Sequence, residues 1–129
     1  MSKVYVIHEN DAWVEPLRRE FERLGTPYEE WFLEQGGLDL REPPPAGVFY
    51  NRMSASSHTR NHRYAAEYTA AVLEWLDRHG RTVVNDRRAL ALEISKVAQY
   101  QALNRHGIRT PDTIAVVGRR NIADAAQRL

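Results

Sequence analysis

A chain of 129 residues with 43% apolar content is long enough for one domain with a real core, and its 18 basic and 17 acidic residues leave a net charge of +1, which gives no reason to expect a nucleic-acid or membrane surface. The absence of cysteine removes disulfides, thiolate metal sites and cysteine nucleophiles together. No apolar run approaches the roughly 20 residues that cross a bilayer and no signal-like apolar segment opens the chain, so a cytoplasmic protein is expected.

Residues 3–8 (K-V-Y-V-I-H) form a short β-rich apolar run, the usual first strand of an α/β sheet. His8, Glu9, Asn10 and Asp11 follow as a polar turn at its carboxyl end. Val14, Leu17, Phe21 and Leu24 recur at spacings of three and four, one face of a helix with Pro16 in its first turn and Gly25 at its close. Residues 27–32 read as a second strand. Between 34 and 46 the pattern dissolves into Gly36-Gly37 and Pro43-Pro44-Pro45, a loop passing around a sheet edge. Residues 47–50 give a third strand ending at Asn51 and Arg52, followed by the small-residue loop M-S-A-S-S-H-T.

The longest helix is predicted over residues 61–79, with Tyr64, Tyr68, Ala71, Val72, Trp75 and Leu76 as its buried stripe and Gly80 as its stop. Thr82, Val83 and Val84 then read as a buried strand, ended by Asn85 and Asp86, either of which can cap the next turn. A short apolar turn at 89–92 leads to a helix that starts near Glu93 or Ser95, runs to His106 and closes at Gly107. Pro111 keeps it from resuming. Residues 113–117 suggest a further strand, and Asn121 is expected to cap a last helix with Ile122, Ala125, Ala126 and Leu129 inward. Strands alternating with helices argue for a parallel sheet of about four strands covered on both faces, with Leu17, Phe21, Tyr68, Val72 and Trp75 against it. The last strand-helix unit extends past that fold.

Ligands of open parallel sheets gather at the carboxyl ends of the strands. Three polar groups stand there: residues 8–11, 51–57 and 85–88. Arg52 offers a planar fork of donors suited to a carboxylate or phosphate, and Ser54 and Ser56 can add to it; the plainer alternative is an arginine paired with a surface carboxylate. Lys96 lies beside the apolar positions of its helix, where it either snorkels to water or reaches another domain. Other signals fail. There is no G-x-G-x-x-G after the first strand and no phosphate-binding P-loop, and the third strand lacks the aspartate of a response receiver. His58 and His62 have the spacing of a helical metal pair but no H-E-x-x-H frame, so two solvated histidines are the simpler reading and no metal site is expected.

The run V-V-N-D-R-R-A-L-A-L-E-I-S-K-V-A-Q-Y-Q-A-L-N-R-H-G-I-R-T-P-D-T resembles the junction between the pre-ATP-grasp and ATP-grasp domains of RimK-like carboxylate–amine ligases, the group related to bacterial glutathione synthetase. The matching positions are Asn85, Lys96, Gly107, Ile108 and Pro111, and the likeness extends over nearly the whole chain; the acidic residue that usually precedes the lysine is here Ser95. The resemblance implies a pre-ATP-grasp domain over residues 1–92, and over 93–129 a linker helix with the first strand and helix of a truncated ATP-grasp domain. It also implies that Lys96 contacts nucleotide phosphates. His8, Asn10, Asn51, Arg52, Ser54 and Ser56 would wall the site for small or peptide carboxylate and amine substrates joined through an acyl phosphate. ATP and magnesium would be held by the remainder of the ATP-grasp domain, so the chain alone should bind neither and catalyse nothing. Homo-oligomers are compatible with this reading, and a free-standing α/β binding module without ATP chemistry is the alternative.

Overall fold

Strand β1 (Val4–His8) alternates large side chains to its two sides, and neighbouring strands flank it on both edges. It pairs in parallel with β2 (Tyr28–Phe32) and with β3 (Val48–Asn51), and β3 pairs in parallel with β4 (Thr82–Val84). The order β2-β1-β3-β4 is all parallel, a Rossmann-like α/β sheet. Val4 stands opposite both Tyr28 and Val48, and Val48 opposite Thr82. The computed structural model describes residues 2–129. The chain divides into two units, Met1–Ile94 and Ser95–Leu129.

The first unit builds its core from strand alternation. Tyr5, Ile7 and Phe49 point to the face covered by α2 (Ala65–Arg78), where Val72, Leu73, Leu76 and Leu90 of α3 (Arg87–Glu93) close over them. Tyr5 stacks on Phe49 at a centroid distance of 4.8 Å, and Trp31 tilts against both rings. Wholly enclosed side chains such as Ile7 and Phe49 each contribute about 1.5–3 kcal/mol relative to exposure. On the other face α1 (Asp11–Leu24) buries Val14, and Phe21 stacks on Tyr28 at 4.9 Å. Helices therefore lie on both faces. Val72 is fully buried, whereas Leu17, Phe21, Tyr68 and Trp75 are half-buried.

Several local expectations are corrected. The long helix begins at Ala65, because residues Ala55–Arg60 form a 3-10 helix that ends at Asn61 in a left-handed conformation (φ 68°). Its buried stripe is Ala65, Thr69, Val72, Leu73 and Leu76; Tyr64 and Ala71 are exposed. Strand β4 lies at the sheet edge with Thr82 and Val84 exposed, so it is not a buried strand. Pro16 stands in the second turn of α1, since that helix starts five residues earlier at Asp11. Its missing N–H leaves one carbonyl of the preceding turn without its usual donor.

The connection from β2 to β3 crosses over β1 on the α2 face. Its glycines and prolines leave no helix there, and side chains fasten it instead: Arg81 donates to the carbonyls of Pro44 (2.6 Å) and Pro45 (2.9 Å), and Trp75 Nε1 to that of Glu42 (3.2 Å). It ends at Gly47, with φ 156°, where a Cβ would sit 2.5 Å from the Lys3 carbonyl oxygen and 2.7 Å from the Tyr5 ring.

The second unit is organised locally. Helix α4 (Lys96–Arg105) is capped by Ser95, whose side chain accepts from the Ala98 N–H at 3.2 Å. It closes through Gly107 in a left-handed conformation, with the Ile108 N–H returning to the Leu103 carbonyl. Residues 113–117 form no strand: β-branched propensity alone cannot hold an extended segment that finds no paired neighbour. Helix α5 (Ile122–Gln127) follows a 3-10 turn, Asn121 makes no side-chain capping bond, and Ile122 and Leu129 are exposed, so of the expected inward residues Ala125 alone is buried. No helix among the described residues is long and apolar enough to cross a membrane.

Candidate functional site

Strands β1 and β3 are neighbours, yet the helices that follow them, α1 and α2, lie on opposite faces. This is the switch point of an open parallel sheet, and the backbone there parts to leave a crevice at the carboxyl ends. A cleft of ≈ 420 Å³ opens beside β3 and β4 at those ends. Asn51, Arg52 and Ser54 line it from β3 and the loop after it, Asn85 from the end of β4, Trp13 from α1, and Leu90 and Glu93 from α3.

The cleft is held by an exchange between two asparagines. Asn51 Nδ2 donates to the Asn85 carbonyl at 3.0 Å, and Asn85 Nδ2 donates to the Asn51 carbonyl at 3.1 Å. Asn51 Oδ1 also accepts from the Met53 N–H. Asn85 takes the left-handed conformation (φ 59°) that asparagine tolerates better than most residues. Asp86 is the residue that caps α3, accepting from the Arg88 and Ala89 N–H groups at 2.9 and 3.1 Å. The strand-end asparagines are thus structural clamps, which leaves Arg52 as the group with spare binding capacity. Its Nη1 donates to the Tyr50 hydroxyl at 3.1 Å, and the guanidinium lies 5.7 Å from that ring's centre. No carboxylate pairs with it among the described residues, so the plain surface-ion-pair reading of Arg52 does not hold here.

Ser54 caps the 3-10 helix, accepting from the Ser56 N–H (3.2 Å) and bonding the Ser56 hydroxyl (2.9 Å). Ser56 itself accepts from Arg60 and does not line the cleft. His8 and Asn10 are not brought to it either. His8 is buried, with Nε2 bonded to Glu30 at 3.0 Å and its ring edge against Phe32, while Asn10 precedes α1 without a side-chain cap bond. Lys96 lies in the second unit, exposed, with Nζ donating to Gln99 Oε1 at 3.0 Å. That unit has a larger cleft of ≈ 590 Å³ beneath the extended segment, lined by Val97, Tyr100, Asn104 and Arg109 but not by Lys96.

A second polar centre escapes sequence reasoning. Glu9, 1% exposed at the end of β1, receives a bidentate pair from Arg60 and a 2.7 Å bond with His62 Nδ1. His62 Nε2 faces Glu34 at 2.9 Å, so both ring nitrogens meet carboxylate oxygens. Burial pushes the Glu9 carboxyl upward, but hydrogen bonds from Arg60 and His62, and then their charges, outweigh it and hold it below the ordinary glutamate value. Arg60 also lies 5.0 Å from the centre of the Trp13 ring. This network ties the loop after β3 to β1. His62 is therefore a member of an ion cluster and not a solvated residue, while His58 is exposed with Nδ1 against the Ala55 carbonyl. No local signal announces the cluster, since its members lie 51 and 53 residues apart.

His8, Asp11 and Glu30 bring their ligand atoms within 4.8 Å of one another, the one grouping of metal-capable side chains among the described residues. Arg18 already supplies its cation, donating to Glu30 at 2.6 and 2.7 Å and to Asp11 at 2.7 Å. Those bonds hold the Glu30 carboxyl below its ordinary value and raise the Arg18 guanidinium. The donor set does not fit a magnesium–nucleotide site. No family model matches the chain, and no curated protein matches it.

Proposed function

We propose that this chain is the N-terminal, substrate-side part of an ATP-dependent carboxylate–amine ligase of the RimK-like kind, working through an acyl phosphate and catalytically incomplete as it stands. The observation that carries the reading is the pairing of the ordered Asn85–Lys96–Gly107–Pro111 motif with a parallel sheet whose cleft at the carboxyl ends of β3 and β4 presents Arg52. Lys96 gives further support. It is the first residue of α4, so its positive charge sits at the positive end of the helix dipole, and no carboxylate offsets it among the described residues. A lysine there opposes its own helix but favours a phosphate, which helix N-termini bind through free N–H groups. Local rules are most often broken at functional positions. Arg52 is assigned to a substrate carboxylate, and the clamp of Asn51 and Asn85 fixes the strand ends around it. ATP and magnesium belong to the remainder of the ATP-grasp domain.

The test uses a longer, active protein that contains this sequence. Lys96→Ala is expected to raise the apparent constant for ATP about ten-fold or more, given roughly 1.5–3 kcal/mol for a charge-assisted contact, with the fold unchanged. Arg52→Ala is expected to weaken the acid or amine substrate and leave ATP nearly untouched. Unchanged ATP kinetics in a folded, active Lys96→Ala protein overturns the ligase reading. For the 129-residue chain alone, calorimetric titration with magnesium-ATP should show nothing tighter than about millimolar, and micromolar binding would contradict it.

A further inference from the structure

Aromatic rings of the first unit commonly carry a cation of the chain itself. Lys3 Nζ lies 5.3 Å from the centre of the Tyr5 ring, and the guanidinium groups of Arg52, Arg60 and Arg63 lie 5.7, 5.0 and 5.2 Å from Tyr50, Trp13 and Tyr64. Trp31, Tyr68 and Trp75 depart from this habit, and all three line one cavity of ≈ 330 Å³ between α2 and the crossover connection. No cation of the chain stands over any of these rings among the described residues. The walls are held in place. Trp31 tilts against Tyr5 and Phe49 and donates to Glu29 at 3.1 Å, Trp75 donates to the Glu42 carbonyl, and the Tyr68 hydroxyl would meet a Cβ at Gly36 at 3.3 Å. The charged residues of the lining are Asp39 and Glu42, with no lysine, arginine or histidine beside them. Arg41 already answers Asp39 through bonds of 2.5 and 2.9 Å, while the Glu42 carboxylate has no ion pair or hydrogen bond among the described residues.

We infer that this cavity takes a small quaternary ammonium cation, its alkylated head among the rings of Trp31, Tyr68 and Trp75 and its charge answered by Glu42. An aromatic ring attracts a cation through the negative charge of its face, and tryptophan does so most strongly. The lining separates this ligand from others. An anion would meet two carboxylates and no cation. A divalent metal needs several oxygen ligands, and Glu42 is the one carboxylate of the lining not already held. A primary ammonium is strongly hydrated and needs acceptors for three N–H donors, whereas an alkylated head needs none and loses less on leaving water. The volume lies at the lower end of the range of small-molecule sites. The cavity shares no lining residue with the cleft that presents Arg52, so the inference does not rest on the ligase reading.

The experiment is NMR titration of the 129-residue chain with choline, beside ethanolamine and the uncharged isostere in which carbon replaces the ammonium nitrogen. Choline should shift the indole N–H signals of Trp31 and Trp75 saturably, with a dissociation constant of about millimolar, and leave that of Trp13, which lines the other cleft, in place. The isostere and ethanolamine should each bind about ten-fold more weakly. Glu42→Gln, a change at an exposed side chain, should weaken choline about three-fold and leave the isostere unchanged. Tyr68→Leu should weaken choline more than the isostere, with the backbone spectrum reporting that the chain is folded. No saturable shift of the two indoles up to about 100 mM choline overturns the inference. Equal binding of choline and the isostere also overturns it, since the cavity would then be an apolar groove indifferent to charge.

Discussion

In Met1–Ile94, Ile7, Phe49, Leu73 and Leu76 are fully enclosed between a parallel sheet and α2, whereas in Ser95–Leu129 Ala125 is the one buried residue among those described. The first unit is held by long-range apolar contact, the second by what lies within one or two helical turns: the Ser95 cap, the Lys96–Gln99 bond and the closure at Gly107. A ten-residue helix such as α4 is marginal in water without tertiary support. Two kinds of polar machinery follow the same division. Arg52 stands on a scaffold that fixes it, while Lys96 stands on an element whose order is local.

The sharpest way to break this comparison is in the core. Phe49→Ala should cost about 3–5 kcal/mol in urea denaturation, because a ring stacked on Tyr5 and enclosed by α2 leaves a cavity its neighbours cannot fill. A loss below 1 kcal/mol would mean that the sheet is not the seat of stability. Next in size is Glu9→Gln, which removes the charge that answers Arg60 and His62 and should cost about 1.5–3 kcal/mol at neutral pH. The carboxyl is held below its ordinary value in the folded chain, so this contribution is complete above the ordinary glutamate value and is lost as pH falls through the lowered one. Denaturation midpoints of the variant and the parent should therefore converge in acid, and a gap that persists there would place the effect elsewhere.

The parallel strands were legible because each is a short β-rich run, three of them next to glycine, proline or asparagine, and because they alternate with helical patterns along the chain. The start of α4 was legible only to within Glu93 or Ser95, and the structure places it after the Ser95 cap. Residues 113–117 were misread as a strand because propensity describes a segment and not whether a partner is there to pair with it. At the site, Asn51, Arg52 and Ser54 were legible as strand-end residues, but His8 and Asn10 were not separable from them without the fold. The Glu9–Arg60–His62 cluster had no signal at all, because tertiary folding alone brings its members together.

Two smaller effects probe the second unit. Ser95→Ala should cost about 1 kcal/mol of local helix stability, read as faster amide exchange in α4 with β1 and β3 unaffected. Equal loss of protection in β1 and β3 would contradict a local origin of the order in α4. Lys96→Glu should slightly slow exchange in α4, by about 0.3–1 kcal/mol, since it replaces a charge that opposes the helix dipole with one that favours it. A destabilised helix in that variant would point to a structural role for the lysine.

Gly47 gives the chain a fixed point that a mutational scan can read. The crossover must pass within van der Waals distance of the first strand at that place, and the Lys3 carbonyl cannot retreat because it already accepts the Val48 N–H at 3.0 Å. Gly37, near the start of the same connection, has no atom within 4 Å of where a side chain would begin. In a saturation library selected only for abundance of folded protein, position 47 should admit glycine alone while position 37 drifts freely. The two glycines of one connection would then carry opposite signatures of tolerance.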